Sequence, residues 1–169
     1  MQVEEAIRTR RTIKAYDSRP VDRAILEELF ELARWAPNHH LTQPWRFRVL
    51  GPGALDRLKT AAGTEAAAKL ERAPTLVVST ALLRGDPVQD EEDLHSAACA
   101  TYIVLLAAHS RGLAGYWRTP DVLRRPEGRA ACAVGDGERF VALIHLGDPR
   151  QAREPPPRMA PADYVSYLD

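Results

Sequence analysis

Three short apolar runs set the terms for any fold this chain can adopt. Trp45-Arg46-Phe47-Arg48-Val49-Leu50 alternates in polarity, whereas Thr75-Leu76-Val77-Val78-Ser79-Thr80 and Phe140 to Leu146 are nearly continuous apolar stretches. Alternation at period two predicts a half-buried strand, and a continuous run suits a strand covered on both faces. Covering both faces needs helices, and the segments between the runs supply them.

Val3, Ala6 and Ile7 predict a short amphipathic helix that runs into Arg8-Thr9-Arg10-Arg11. Asp22 stands where an N-cap is expected. After it Ile25, Leu26, Leu29, Phe30, Leu32 and Ala33 recur at helical spacing until Pro37. Gly51-Pro52-Gly53 reads as a turn, Ala54 to Arg72 as a helix broken near Gly63, and residues 84 to 91 as a charged loop. A long helix follows, with Leu94, Ala97, Ala98, Thr101, Tyr102, Leu105 and Ala108 on one side and Gly112 at its end. Gly115 to Pro120 is a turn or short strand, and Gly147-Asp148-Pro149 stops the last apolar run. The order α-α-β-α-β-α-β predicts an α+β protein: one sheet wrapped by helices.

Residues 1–150 make a single domain on this reading, and 151–169 form an extended arm. Pro155-Pro156-Pro157 and Pro161 forbid a helix there, while Tyr164, Val165, Tyr167 and Leu168 give the tip apolar surface to bury.

The 23 basic and 23 acidic side chains cancel, so no global field favours nucleic acid or an anionic membrane. No apolar stretch is long enough for a bilayer, and the start Met1-Gln2-Val3-Glu4-Glu5 lacks the pattern of a signal peptide. Cys99 and Cys132 sit in Ala-rich runs and read as reduced thiols, which points to the cytoplasm. Their spacing suits no zinc site, and adjacent His39 and His40 would diverge, so no metal is expected.

Chemistry concentrates in three places. Arg10-Arg11-Thr12-Ile13-Lys14 packs three cations and a hydroxyl into five residues, a donor set suited to a phosphate. A cationic helix C-terminus favoured by the helix dipole would use the same residues. Ala36-Pro37-Asn38-His39-His40-Leu41-Thr42-Gln43-Pro44-Trp45 is a polar loop entering a strand. Trp117-Arg118-Thr119 offers two flat groups and a hydroxyl for a planar ring, or a Trp that caps the core. No Gly-rich phosphate loop and no nucleophile–His arrangement is present.

Taken together, Arg10-Arg11-Thr12, Ala36-Pro37 with Gln43-Pro44-Trp45, the Ala-rich helix leading to Gly112, and Gly147-Asp148-Pro149 resemble the nitroreductase family of FMN-dependent oxidoreductases. The resemblance spans the chain. Ala36-Pro37-Asn38-His39 and Trp117-Arg118-Thr119 are similar to a compact subgroup of NAD(P)H nitroreductases. Larger members usually carry Asn where this chain has Leu41, and Thr12 stands in place of the commoner Ser.

The resemblance implies a mostly antiparallel central sheet wrapped by helices, with the C-terminal arm exchanged in a homodimer and FMN at the subunit interface. It implies that Arg10, Arg11, Thr12 and Lys14 hold the phosphate end and that Trp35 and His39 reach the flavin from the partner. Trp117, Arg118 and Thr119 would lie along the isoalloxazine, and Arg158 would add to the phosphate site. No residue is assigned as a catalytic nucleophile, because the flavin carries the redox step. The implied activity is ping-pong transfer of electrons from NAD(P)H to a nitroaromatic, quinone or other small conjugated acceptor. The alternatives are a flavin-binding redox sensor with little turnover, and a cofactor-free domain that binds an acidic partner.

Overall fold

A computed structural model describes residues 1–168. Four strands, β1 (Trp45–Val49), β2 (Thr75–Leu82), β3 (Ala114–Arg118) and β4 (Glu138–Gly147), form one sheet in the order β1-β2-β4-β3. Every neighbouring pair is antiparallel. The family of the chain's α+β architecture is thus a meander-like sheet whose last strand is inserted between the second and third. β2 and β4 lie in the middle, and their nearly unbroken apolar runs reflect burial on both faces.

Two helices cover one face. The core there joins Leu26, Leu29 and Ala33 of α2 (Arg23–Ala33) to Ala97, Ala100, Val104 and Ala108 of α5 (Pro87–Ser110). It takes Val77, Ile144 and Leu146 from the sheet. The opposite face takes Leu76, Val78 and Leu143 and packs them against Leu58 of α3 (Pro52–Ala62), Leu70 of α4 (Thr64–Leu70) and Ala131 of α6 (Pro126–Ala131).

Small residues let α5 lie close to the sheet. A Cβ added at Gly115 of β3 would stand 2.6 Å from Leu105 Cδ2. Ser79 and Thr101 share a buried hydrogen bond of 2.7 Å across the same seam, and the Thr101 hydroxyl also lies 2.8 Å from the Ala97 carbonyl.

Several element ends differ from the sequence reading. Gly51-Pro52-Gly53 is no free turn: α3 starts at Pro52, since proline at the first helical position loses no hydrogen bond. Residues 84–91 are only partly a loop, because Asp86 accepts from the Gln89 amide (2.8 Å) and starts α5 at Pro87. Asp22 precedes α2 as expected, yet its side chain makes no capping bond. α6 was not anticipated. It is six residues long and has too few apolar positions to register as periodic.

α1 (Val3–Thr9) leads into an extended strip, residues 10–17, which runs along the free edge of β3. Thr12 pairs with Gly115 in a parallel bridge, and Tyr16 pairs with Pro149 in an antiparallel one. The Asp17 amide donates to the Asp148 carbonyl and the Arg150 amide to the Ala15 carbonyl, so the strip also fixes the root of the C-terminal arm. Beyond that root the arm is exposed throughout 151–168. Tyr167 is 95% and Leu168 92% exposed.

Candidate functional site

The cationic strip borders the edge strand, and its charges reach round both sides of it. The Arg10 guanidinium lies 5.5 Å from the centre of the Tyr102 ring, on α5. Lys14 Nζ lies 5.3 Å from the centre of the Tyr116 ring, on β3. Both arrangements suit a cation held on an aromatic face. Thr12 stands between them, half-buried against Gly115.

Arg11 is placed differently. Its Nη1 donates to the Arg10 carbonyl at 2.7 Å and its Nη2 to the Arg8 carbonyl. It therefore satisfies carbonyls that α1 leaves free at its end, as basic side chains do at helix C-termini. It also lines a cavity of about 300 Å³ with Thr9, Ile13, His109 and Arg153, beneath the root of the arm. In that cavity Thr9 donates its hydroxyl to the Glu5 carbonyl (2.6 Å), so it accepts from His109 Nε2 (2.7 Å).

β3 divides the third motif. Side chains alternate across a strand. Trp117 packs on the α5 face with Ile144 opposite, while Tyr116 and Arg118 stand on the other face opposite His145 and Leu143. Trp117 and Arg118 thus do not line one surface of this subunit. Thr119 is exposed just past the strand.

The polar layer under Tyr116 and Arg118 has unusual electrostatics. His145 is 1% exposed, its ring centre is 5.5 Å from that of Tyr116, and neither ring nitrogen has a hydrogen-bond partner. Burial, with Arg118 and Arg72 adding to it, pushes its pKa down to about 3. Burial also lowers the Arg118 guanidinium from its ordinary value, Tyr116 opposes the change, and Arg72 reinforces it. Arg118 Nη1 and Arg10 Nε are buried without acceptors.

The loop from α2 to β1 is a strained structure. His40, Leu41 and Gln43 have φ of +52°, +51° and +45°, in the left-handed region that non-glycine residues avoid. Each such residue costs on the order of 1 kcal/mol or more, so the surroundings must hold it. Asn38 bonds the Ala36 carbonyl (3.2 Å) and accepts from the Gln43 amide (2.9 Å). His39 Nδ1 lies 2.7 Å from Glu92, and its ring stacks on His40. Trp35 and Leu41 are 76% and 77% exposed, on a cleft of about 510 Å³.

The two clusters stand apart. Glu92, which holds His39, and Tyr102, which carries Arg10, are ten residues apart on α5, or about 15 Å. A single chain presents the strip and the Trp35–Leu41 loop at separate stations along this helix. Among the described residues, no carboxylate comes within ion-pair distance of Arg10, Arg11, Lys14 or Arg118. The donor set around the strip fits an anionic, ring-bearing ligand: cations without counter-ions and buried guanidinium nitrogens without acceptors.

Sequence reasoning missed Tyr102 as the partner of Arg10, and Tyr116 and His145 as members of the layer around Arg118. Tyr116 immediately precedes the Trp117-Arg118-Thr119 motif, and its alternation with Trp117 and Arg118 was the available signal. His145 gave none, because a histidine inside an apolar strand resembles any core residue.

The sequence profile of the Nitroreductase family matches residues 7–69. A Haemophilus influenzae protein named for NAD(P)H nitroreductase activity is 30% identical over 161 residues, covering 85% of this chain and 86% of its own length. YfhC of Bacillus subtilis, named in the same way, is 28% identical and covers 90% of this chain and 87% of itself. A nitroreductase-like protein from Bacillus cereus superposes with a TM-score of 0.90 at 22% identity, over 100% of this chain and 97% of its own. An FMN- and NADPH-dependent nitroreductase, NfnB from sphigopyxis, gives 0.84 at 18% identity over 100% of both chains. These two likenesses define the fold. The profile match and the Haemophilus relative together place this chain in the nitroreductase family. It is an oxidoreductase enzyme.

Proposed function

We propose that this chain is an FMN enzyme that uses NAD(P)H to reduce a small conjugated acceptor, such as a nitroaromatic or a quinone, by alternating oxidation and reduction in one cleft. The observation that carries this reading is the set of cations without counter-ions at Arg10, Lys14 and Arg118, with buried guanidinium nitrogens left open. The family membership and the FMN named for NfnB support it.

The cofactor is FMN, which supplies the hydride and electron chemistry when bound. Arg10, with Thr12, holds the phosphate by charge-assisted hydrogen bonds. Arg158, on the exposed arm, is a further candidate for it. Arg11 supports this end indirectly, by fixing the turn between α1 and the strip. Lys14 and Arg118 stand at the ring system. There a fixed positive charge favours the anionic reduced form, and burial strengthens the effect. Thr119, exposed just past β3, would add a hydroxyl there, while Trp117 faces α5 and bears on the ring only through its packing.

A second copy completes each site. Trp35 and His39 come from the partner, because one chain displays them about 15 Å along α5 from Tyr102 and the strip. The arm from residue 151 embraces that partner, and its exposed Tyr164, Tyr167 and Leu168 bury there. Residues 1–150 form the FMN domain. The two free cysteines, Cys99 and Cys132, accord with a reducing cytoplasm.

Anaerobic titration of the purified protein with NADH and NADPH tests the reading. The bound flavin should bleach within seconds and recover on adding a nitroaromatic or quinone. A yellow protein that neither coenzyme bleaches is a flavin sensor, and a colourless one that takes up no FMN refutes the cofactor.

A further inference from the structure

Asp93 is a buried carboxylate that neither the strip nor the ring-facing residues use. It lies on α5 and is fully buried, an expensive place for a charge unless its partners hold it. Its Oδ1 accepts from the Thr42 hydroxyl at 2.5 Å and from Gln89 Nε2 at 3.1 Å. Its Oδ2 lies 3.8 Å from Arg84 Nε, and Arg84 Nη2 in turn donates to the Thr42 carbonyl at 3.2 Å. Both polar ends of Thr42 are therefore tied to one ion pair, whose carboxylate is buried and whose guanidinium is half-exposed. Thr42 sits between Leu41 and Gln43, in the run that holds three left-handed residues.

Nothing else described grips the loop so deeply. The Asn38 bonds run within the loop itself, and the His39–Glu92 contact is largely exposed. A chain segment in sparsely populated backbone geometry relaxes unless something over-determines it. Here the Asp93–Thr42–Arg84 triangle supplies that constraint.

We infer that Asp93 is a positioning residue: through Thr42 and Arg84 it latches residues 38–43 in the strained shape that presents His39 and Leu41 to a ligand held by the partner. The second half of this inference rests on the two-chain flavin site proposed above; the latch itself rests on the geometry alone. On that two-chain reading the loop meets the rings rather than the phosphate, so releasing it should weaken FMN and riboflavin equally.

The test uses Asp93→Asn, Thr42→Val and Thr42→Ser, with two readouts: amide hydrogen exchange of residues 38–43, and dissociation constants for FMN and riboflavin. Asp93→Asn and Thr42→Val should each speed exchange in the loop and weaken both flavins about tenfold, as loss of a bond to a charged group does. Thr42→Ser retains the hydroxyl and should match the wild type. Combining Asp93→Asn with Thr42→Val should add little to either alone, since both open the same latch. Unchanged loop exchange in Asp93→Asn and Thr42→Val overturns the latch. Faster exchange with unaltered flavin binding overturns its role in the site. A wild type that binds neither flavin removes the cofactor reading, while the exchange data still decide the latch. Thr42→Val keeps the experiment decisive if Asp93→Asn does not fold.

Discussion

Trp117 and Arg118 are neighbours in the chain and opposites in space: the first packs toward α5, the second stands on the far face of the sheet, opposite Leu143 and close enough to His145 to depress its pKa. Adjacent residues on a strand can thus serve separate purposes. Arg118→Ala should lower the flavin midpoint potential and slow reduction by NAD(P)H, with folding intact. Potentiometry on the FMN-loaded variant checks this, and a wild-type potential would remove Arg118 from the ring site. Trp117→Ala should instead cost stability, about 2 kcal/mol for a half-buried indole.

Arg10 and Arg11 should separate just as clearly. Arg10→Ala should weaken FMN by about 1.5–3 kcal/mol through loss of a charge-assisted bond, with little effect on riboflavin, which lacks the phosphate. Arg11→Ala should lower stability by about 1 kcal/mol, since it uncaps the end of α1. Isothermal titration with both ligands, beside urea unfolding, distinguishes the two. Equal selective loss of FMN in both variants would contradict the division.

His145 should make the protein acid-sensitive. In the unfolded chain it takes up a proton near pH 6.5, but in the fold only near pH 3. The unfolded state therefore binds the extra proton across that window, and stability falls as pH drops through it. The slope is about 1.4 kcal/mol per pH unit from this one group. Urea unfolding at pH 7, 6 and 5 should reveal it, and His145→Leu should flatten the curve. An unaltered slope in the variant would assign the acid sensitivity elsewhere.

Truncation after Arg153 tests the arm. It removes Tyr164, Val165, Tyr167 and Leu168, which touch little in their own subunit. Analytical ultracentrifugation of the truncated chain should show dissociation together with loss of flavin. A monomer that keeps its FMN would separate the arm from the site.

Much of this architecture was legible in the sequence because its strands are either alternating or uniformly apolar. Trp45–Val49 at the sheet edge and Thr75–Leu82 in the middle follow that distinction. The cationic strip was visible as a cluster, but not the fate of each charge. Arg11 turns back on carbonyls of its own segment, which composition does not encode. Asp93 was hidden for a related reason. It sits among Asp90, Glu91 and Glu92, and only the docking of the loop onto α5 distinguishes the fully buried carboxylate from its more accessible neighbours. Gly51-Pro52-Gly53 misled because proline signals a turn and a helix start equally well.

The spacing of the strip and the Trp35–Leu41 loop along α5 carries a genetic consequence. If each cleft draws its cations from one chain and its loop from the other, then mixing a strip-damaged chain with a loop-damaged chain produces hybrids of unequal clefts. One cleft inherits both lesions and the other inherits neither. Two inactive proteins should therefore complement one another and regain up to half the flavin of the parent per hybrid.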